Sequence, residues 1–145
     1  MLTIYPAVFY EYKDGTYSVI FPDLNHLSTF GSDFHDAMAM AIDCLAGYVF
    51  TAQLDGDTLP PPTPFSSFDP HCEDDGTEAE EGIVRTFGSP VSVDVEAYAK
   101  QHFNKTVKKT LSIPRWLNDM AVSRNINFSQ VLQEALKSRL GVRGR

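Results

Sequence analysis

The stretch Leu2–Phe21, LTIYPAVFYEYKDGTYSVIF, decides how the first half of this chain folds. At its centre Lys13-Asp14-Gly15-Thr16 is a hairpin turn, because Asp-Gly readily takes the positive φ angles of a tight reversal. Before the turn, Leu2 to Tyr12 carries Ile4, Ala7, Phe9 and Tyr10 in a largely apolar strand. After it, Tyr17, Val19 and Phe21 alternate with Ser18 and Ile20, so a second strand pairs back on the first. Pro22-Asp23 then stops the ladder, since proline has no amide to donate. A third short strand is predicted from Leu27 to Phe30, ending at Gly31.

A long helix follows. Asp33 stands where an N-cap belongs, and Asp36 three residues on makes a carboxylate version of the capping box. Phe34, Met38, Ala41, Leu45, Tyr48, Val49 and Ala52 recur at spacings of three and four, one apolar face for a sheet. Asp55-Gly56-Asp57 supplies the glycine stop near Leu54. Leu59 to Phe65 contains four prolines and excludes regular structure, and residues 66–82 read as a mobile acidic loop. Val91, Val93 and Val95 alternate with Ser92, Asp94 and Glu96, one more strand. The order β-β-β-α-β makes a small α+β layer, a sheet with one helix on its face.

The last forty residues have another rhythm. Val107, Leu111 and Ile113 alternate with Lys108, Thr110 and Ser112 as a strand. Pro114 opens a helix at its first turn, where a missing amide costs nothing. That helix carries Leu117, Met120 and Ala121 inward and stops around Asn125. Asn127 and Gln130 form a second capping box, Val131, Leu132, Ala135, Leu136 and Leu140 line the helix it starts, and Gly141 ends it. Strand-helix-helix in about 35 residues closes no core alone. Two copies that pair their strands and pack four helices do.

Composition sets the outer limits. The chain has 145 residues, 43% apolar and 21% charged, which suits one ordinary domain or two small ones rather than a disordered chain. No run approaches ~18 consecutive apolar residues, so no membrane span is expected. Cys44 and Cys72 are the only cysteines, which excludes a disulfide framework or a four-cysteine zinc site. With no secretory pattern at Met1–Tyr5, a reduced cytoplasmic location is expected. The net charge of −7 hides a split. Residues 1–103 hold 17 acidic and 3 basic side chains, a net of −14, whereas residues 104–145 hold 9 basic and 2 acidic, a net of +7. Two modules with two partners follow, one of them nucleic acid.

From Lys108-Lys109-Thr110-Leu111-Ser112-Ile113-Pro114, through Leu117, to Asn127-Phe128-Ser129-Gln130-Val131-Leu132, the chain resembles the ribbon-helix-helix fold of the Arc and MetJ repressors. The resemblance implies an antiparallel ribbon in the major groove, with Lys108, Thr110 and Ser112 facing bases. Asn127, Phe128 and Ser129 at the start of the second helix would hold a phosphate. Leu111, Ile113, Leu117, Val131, Leu132 and Leu136 would form the dimer core. Lys109 departs from the pattern, falling on the inward side.

The first half resembles HicB antitoxins through Gly15 to Phe21, Phe21-Pro22-Asp23-Leu24, Gly31-Ser32-Asp33, Asp36-Ala37 and Asp55-Gly56-Asp57-Thr58-Leu59-Pro60. Asn25 and His26 stand where that family commonly has Pro-Gly. The resemblance implies a partial RNase H-like domain over 1–103, joined to a ribbon-helix-helix module over 104–145. It further implies a homodimer, a toxin–antitoxin hetero-oligomer, neutralisation of a small basic HicA-like ribonuclease toxin, and repression of the operon through operator DNA. The toxin-facing residues are expected to be Phe21, Pro22, Asp23 and Leu24 with Asp36 and Asp43.

Other chemistry is weaker. Asp14, Asp23, Asp33 and Asp57 would have to gather round Mg²⁺ in a degenerate nuclease, but turns and caps account for such carboxylates more simply. His71-Cys72 lacks spaced metal partners, His26 and His35 lack a nucleophile, Cys44 suits a core boundary, and Trp116 suits an interface. No catalytic residue, metal or cofactor is expected. A ribbon-helix-helix regulator whose first domain senses a small ligand is the alternative to an antitoxin.

Overall fold

Asp14 builds the first turn: its Oδ1 accepts from the backbone N–H of Thr16 at 3.0 Å and from the Thr16 hydroxyl at 2.7 Å. In the computed structural model, which describes residues 1–103 and 107–142, this turn joins β1 (Leu2–Tyr12) to β2 (Tyr17–Phe21). The two run antiparallel with Phe9 opposite Val19. β3 (Leu27–Gly31) pairs with β2 on the far side, Leu27 opposite Phe21. β4 (Ile83–Asp94) pairs with β1 from Leu2 opposite Asp94 to Tyr12 opposite Ile83. The sheet is antiparallel throughout, in the order β3-β2-β1-β4.

Two expectations change here. β4 begins at Ile83, well before the valine alternation, because the 11-residue β1 offers a full-length ladder that the five-residue β2 cannot fill. Val95 is not in that strand. It opens α2 (Val95–His102), whose N-cap Asp94 accepts from the Ala97 N–H at 3.2 Å. Val95 and Ala99, one helical turn apart, are its buried residues, a short i, i+4 signal. The order is therefore β-β-β-α-β-α.

α1 (Phe34–Asp55) starts at Asp33, whose side chain accepts from the Asp36 N–H at 2.7 Å. The Asp36 carboxylate returns to the Ser32 amide at 2.8 Å, closing the box one residue earlier than the capping pattern predicts. Gly56 ends the helix at φ +72°. At 22 residues α1 is long and apolar enough to cross a membrane by length and composition, but its stripe Ala37, Ala41, Leu45 and Val49 is buried in one core with Tyr5, Ala7, Phe9, Val19 and Phe21. Gly31 makes that packing possible, since a Cβ there would stand 2.3 Å from the Ala37 nitrogen. Phe34, expected in the buried stripe, is 42% exposed and instead sets its ring tilted or edge-on against Phe9, Tyr17 and Phe87.

The chain divides into two units, Met1–Lys105 and Thr106–Arg145. The cut expected after Phe103 adjoins residues 104–106, which lie outside the described ones. In the second unit α3 (Arg115–Ser123) follows Pro114 as N-cap, and α4 (Phe128–Leu140) runs from Asn127 to Gly141. Residues 107–113 form no strand, against the alternation of the sequence. A lone strand lacks the cross-strand hydrogen bonds that define one, and a single chain supplies no partner.

Candidate functional site

The face of the sheet turned away from α1 carries the less obvious structure. Residues 65–82 lie over part of it: a Cβ on Gly88, opposite Val8, would meet ring carbons of Phe68 at 3.1 Å. Tyr10 on the same face donates its hydroxyl to Asp74 at 2.7 Å. Burial first, then the Asp74 hydrogen bond and the charges of Asp74, Glu78 and Glu73, raise the Tyr10 pKa. The Tyr10 hydroxyl in turn holds Asp74 below its ordinary value. His26 Nδ1 stands 2.6 Å from Glu73, and His71 Nδ1 stands 2.9 Å from Asp74. The segment expected as a mobile loop is thus tied to the sheet by residues 47 and 64 positions apart. Its acidic composition hid those ties because Tyr10 on β1 and His26 in the turn before β3 lie far off in the sequence.

The covering is incomplete. Beyond it a groove of about 480 Å³ opens, floored by Tyr12, Ile20 and Phe30 and walled by Glu73, Asp75, Glu78 and Glu81. A second groove, about 720 Å³, runs along the flank of α1 past Cys44, Tyr48, Asp55 and Asp57. Asp43 at its side accepts from the Tyr98 hydroxyl at 2.8 Å, and burial followed by that bond pushes the Tyr98 phenol up to about 12. Burial, then Asp43, also raises the Cys44 thiol, which disfavours the reactive thiolate.

The Phe21-Pro22-Asp23-Leu24 turn buries two of its four residues and leaves Pro22 and Asp23 partly exposed. Phe21 is 0% exposed and Leu24 1%, so both belong to the core and have no surface to offer a toxin. Asp23 clamps Thr63, accepting from its N–H and hydroxyl at 2.7 Å each, and so fixes the proline-rich segment. Pro22 starts a single 3-10 turn, and Asn25 and His26 leave it at φ 59° and 58°. Two successive left-handed residues turn the chain there without Pro-Gly. Asp36 caps the start of α1, and Asp43 is exposed on its flank.

The carboxylates weighed for a nuclease serve separate local structures: Asp14 the hairpin, Asp23 the Thr63 clamp, Asp33 the helix cap, while Asp57 lines the flank groove. Among the described residues no three His, Cys, Asp or Glu side chains converge as metal ligands would.

In the second unit Lys108, Thr110 and Ser112 are exposed. Asn127 accepts from the Gln130 N–H at 3.1 Å, while the Gln130 side chain reaches Glu134 rather than closing the box. Neither α3 nor α4 buries a residue. Leu111, Ile113, Leu117, Val131 and Leu136 are all exposed and Leu132 is half-buried. Among the described residues the first unit thus presents an acid-walled groove, and the second presents exposed apolar residues on α3 and α4.

No protein-family model matches the chain, and no curated protein does. Solved structures do. A chain of a toxin–antitoxin complex from Streptococcus pneumoniae is 32% identical, with a TM-score of 0.61, over 96% of this chain and 99% of that one. The Burkholderia pseudomallei antitoxin HicB is 20% identical over 96% and 97%, TM-score 0.48. A HicA3 and HicB3 toxin–antitoxin complex contains a chain 28% identical over 61% and 94%, TM-score 0.41. By its identity to the first over nearly the whole of both, this chain belongs to that toxin–antitoxin protein family.

Proposed function

We propose that this chain is a HicB-type antitoxin of the cytoplasm, without enzymatic activity, that neutralises a small basic HicA-like ribonuclease toxin through its acidic unit and represses its operon through its basic unit. One observation carries the reading: the likeness to a toxin–antitoxin protein covers 96% of the chain, and so extends over both units. The charge division supports it, since a net of −14 over residues 1–103 attracts a basic protein and +7 over 104–145 attracts DNA. The apolar residues left uncovered on α3 and α4 support pairing with a second copy as a ribbon-helix-helix, in which residues 107–113 gain the strand partner they lack. Lys108, Thr110 and Ser112 then face bases, and the amides of Phe128 and Ser129 face a phosphate. Toxin and antitoxin together form a hetero-oligomer around that dimer.

The full chain, co-expressed with a small basic HicA-like protein, is expected to co-purify with that protein and to suppress its cleavage of RNA in a dose-dependent way. It is also expected to shift DNA from upstream of its own gene, and Thr110→Ala should cost roughly 1–3 kcal/mol of specific affinity. Undiminished RNA cleavage in the presence of excess chain refutes the antitoxin reading. Equal binding to unrelated DNA refutes the repressor.

A further inference from the structure

The face of the sheet away from α1 is only half covered. Phe68 and Asp74 hold residues 65–82 over Gly88 and Tyr10 of β4 and β1 and leave β2 and β3 open. Phe30 on β3 is 74% exposed, more than any other phenylalanine of the unit. It shares its face with Ser28, while Leu27 on the opposite parity packs into the core. β3 is also the outermost strand, so its outer backbone groups have no partner within the sheet.

The wall of the groove repels itself. Four carboxylates, Glu73, Asp75, Glu78 and Glu81, line it beside the phenol of Tyr10. Of the unit's three basic side chains, Arg85 pairs with Glu11 and Lys100 with Glu96, so neither serves that wall. His26 alone stands within ion-pair distance, at Glu73, among the described residues. A cation entering between these carboxylates relieves their mutual repulsion.

We propose that this half-open face is the surface on which the chain receives its basic toxin: a lysine- or arginine-bearing segment enters the acidic groove while Phe30 packs against apolar surface beside it. The assignment rests on the antitoxin reading above and names the face that reading leaves open. An aromatic anchor at the rim of a charged groove separates two roles. The carboxylates attract and orient the partner, and the ring slows its departure.

The test uses the full chain and a small basic HicA-like toxin, with on- and off-rates measured at two salt concentrations. Phe30→Asp is expected to weaken binding at least tenfold, equivalent to about 1.4 kcal/mol, chiefly by a faster off-rate. Asp75→Lys with Glu78→Lys is expected to slow the on-rate and flatten its salt dependence. Asp55→Lys with Asp57→Lys, the same charge change in the flank groove, is expected to change affinity less than threefold at 0.15 M salt. Ser28→Arg, exposed on the face of Phe30, carries the test if Phe30→Asp lowers the melting temperature. Groove variants that bind as the native chain does, or a loss confined to the Asp55/Asp57 pair, overturn the assignment while leaving the antitoxin reading standing. A native chain that fails to bind overturns both.

Discussion

Replacing Phe21 by Ala tests the central reassignment, that this residue builds the core and does not meet a partner. The ring is 0% exposed, opposite Leu27 in the β2–β3 ladder and in the same cluster as Leu24, Leu45 and Val49. Truncating so enclosed a phenylalanine costs about 3–5 kcal/mol, from lost transfer energy and the cavity left behind. Domains of this size hold about 5–15 kcal/mol in all. At about 4–8 °C per kcal/mol for some 100 residues, melting should fall by roughly 12 °C or more. All six tyrosines lie before Phe103 and the one tryptophan, Trp116, after it. Thermal unfolding followed by near-ultraviolet tyrosine signals therefore reads the first unit, and Trp116 fluorescence reads the second. The expected result is an early tyrosine transition with the Trp116 transition unmoved. An unchanged tyrosine midpoint together with weakened partner binding would refute the core assignment and restore Phe21 to the surface.

Gly31→Ala should destabilise the first unit by more than 1 kcal/mol, on the order of overpacking costs, because its Cβ meets backbone atoms of Ala37 rather than a yielding side chain; urea unfolding measures it. The Tyr98 phenol, raised to about 12, stays protonated in the folded chain where an unfolded tyrosine ionises near 10. Its contribution is full below pH 10 and is lost as pH rises through about 12. Absorbance titration at 295 nm should show late-ionising tyrosines, with one fewer in Tyr98→Phe and Tyr10 still among those that remain. Leu136→Lys, on the exposed apolar side of α4, should abolish self-association of the full chain and leave the first unit's melting unaltered; sedimentation velocity decides, and a variant as dimeric as the native chain places the dimer elsewhere.

The parts of the fold legible in the sequence are those whose physics is local. The Asp14-Gly15 turn, the Asp33 cap, the Gly56 stop and the Asn127 cap each complete within four residues, and each is where the sequence places it. What was misplaced depends on pairing at long range. β4 extends to Ile83 only because β1 lies alongside for its full length. Residues 65–82 look detached until Tyr10 meets Asp74 and His26 meets Glu73. α2 was legible in principle, since Asp94 caps and Val95 and Ala99 share a face, but the valine alternation carried the strand reading two residues too far, through Val95 and Glu96.

The same distinction explains why the residues that mark the resemblance to HicB are not those that form the proposed docking face. Phe21, Asp23 and Leu24 fill the core or clamp Thr63, and Gly31 admits Ala37. Tasks of that kind accept few residue types, because a cavity, an unsatisfied carboxylate or a Cβ clash follows from most substitutions. A charged groove accepts many more. Its attraction depends on the summed charge and on the open shape beside Phe30, so aspartate and glutamate at several spacings serve equally. A short sequence pattern therefore reports the scaffold first. The proposed docking face becomes visible only when Phe30 on β3 and Glu78, 48 residues later, are brought to the same groove.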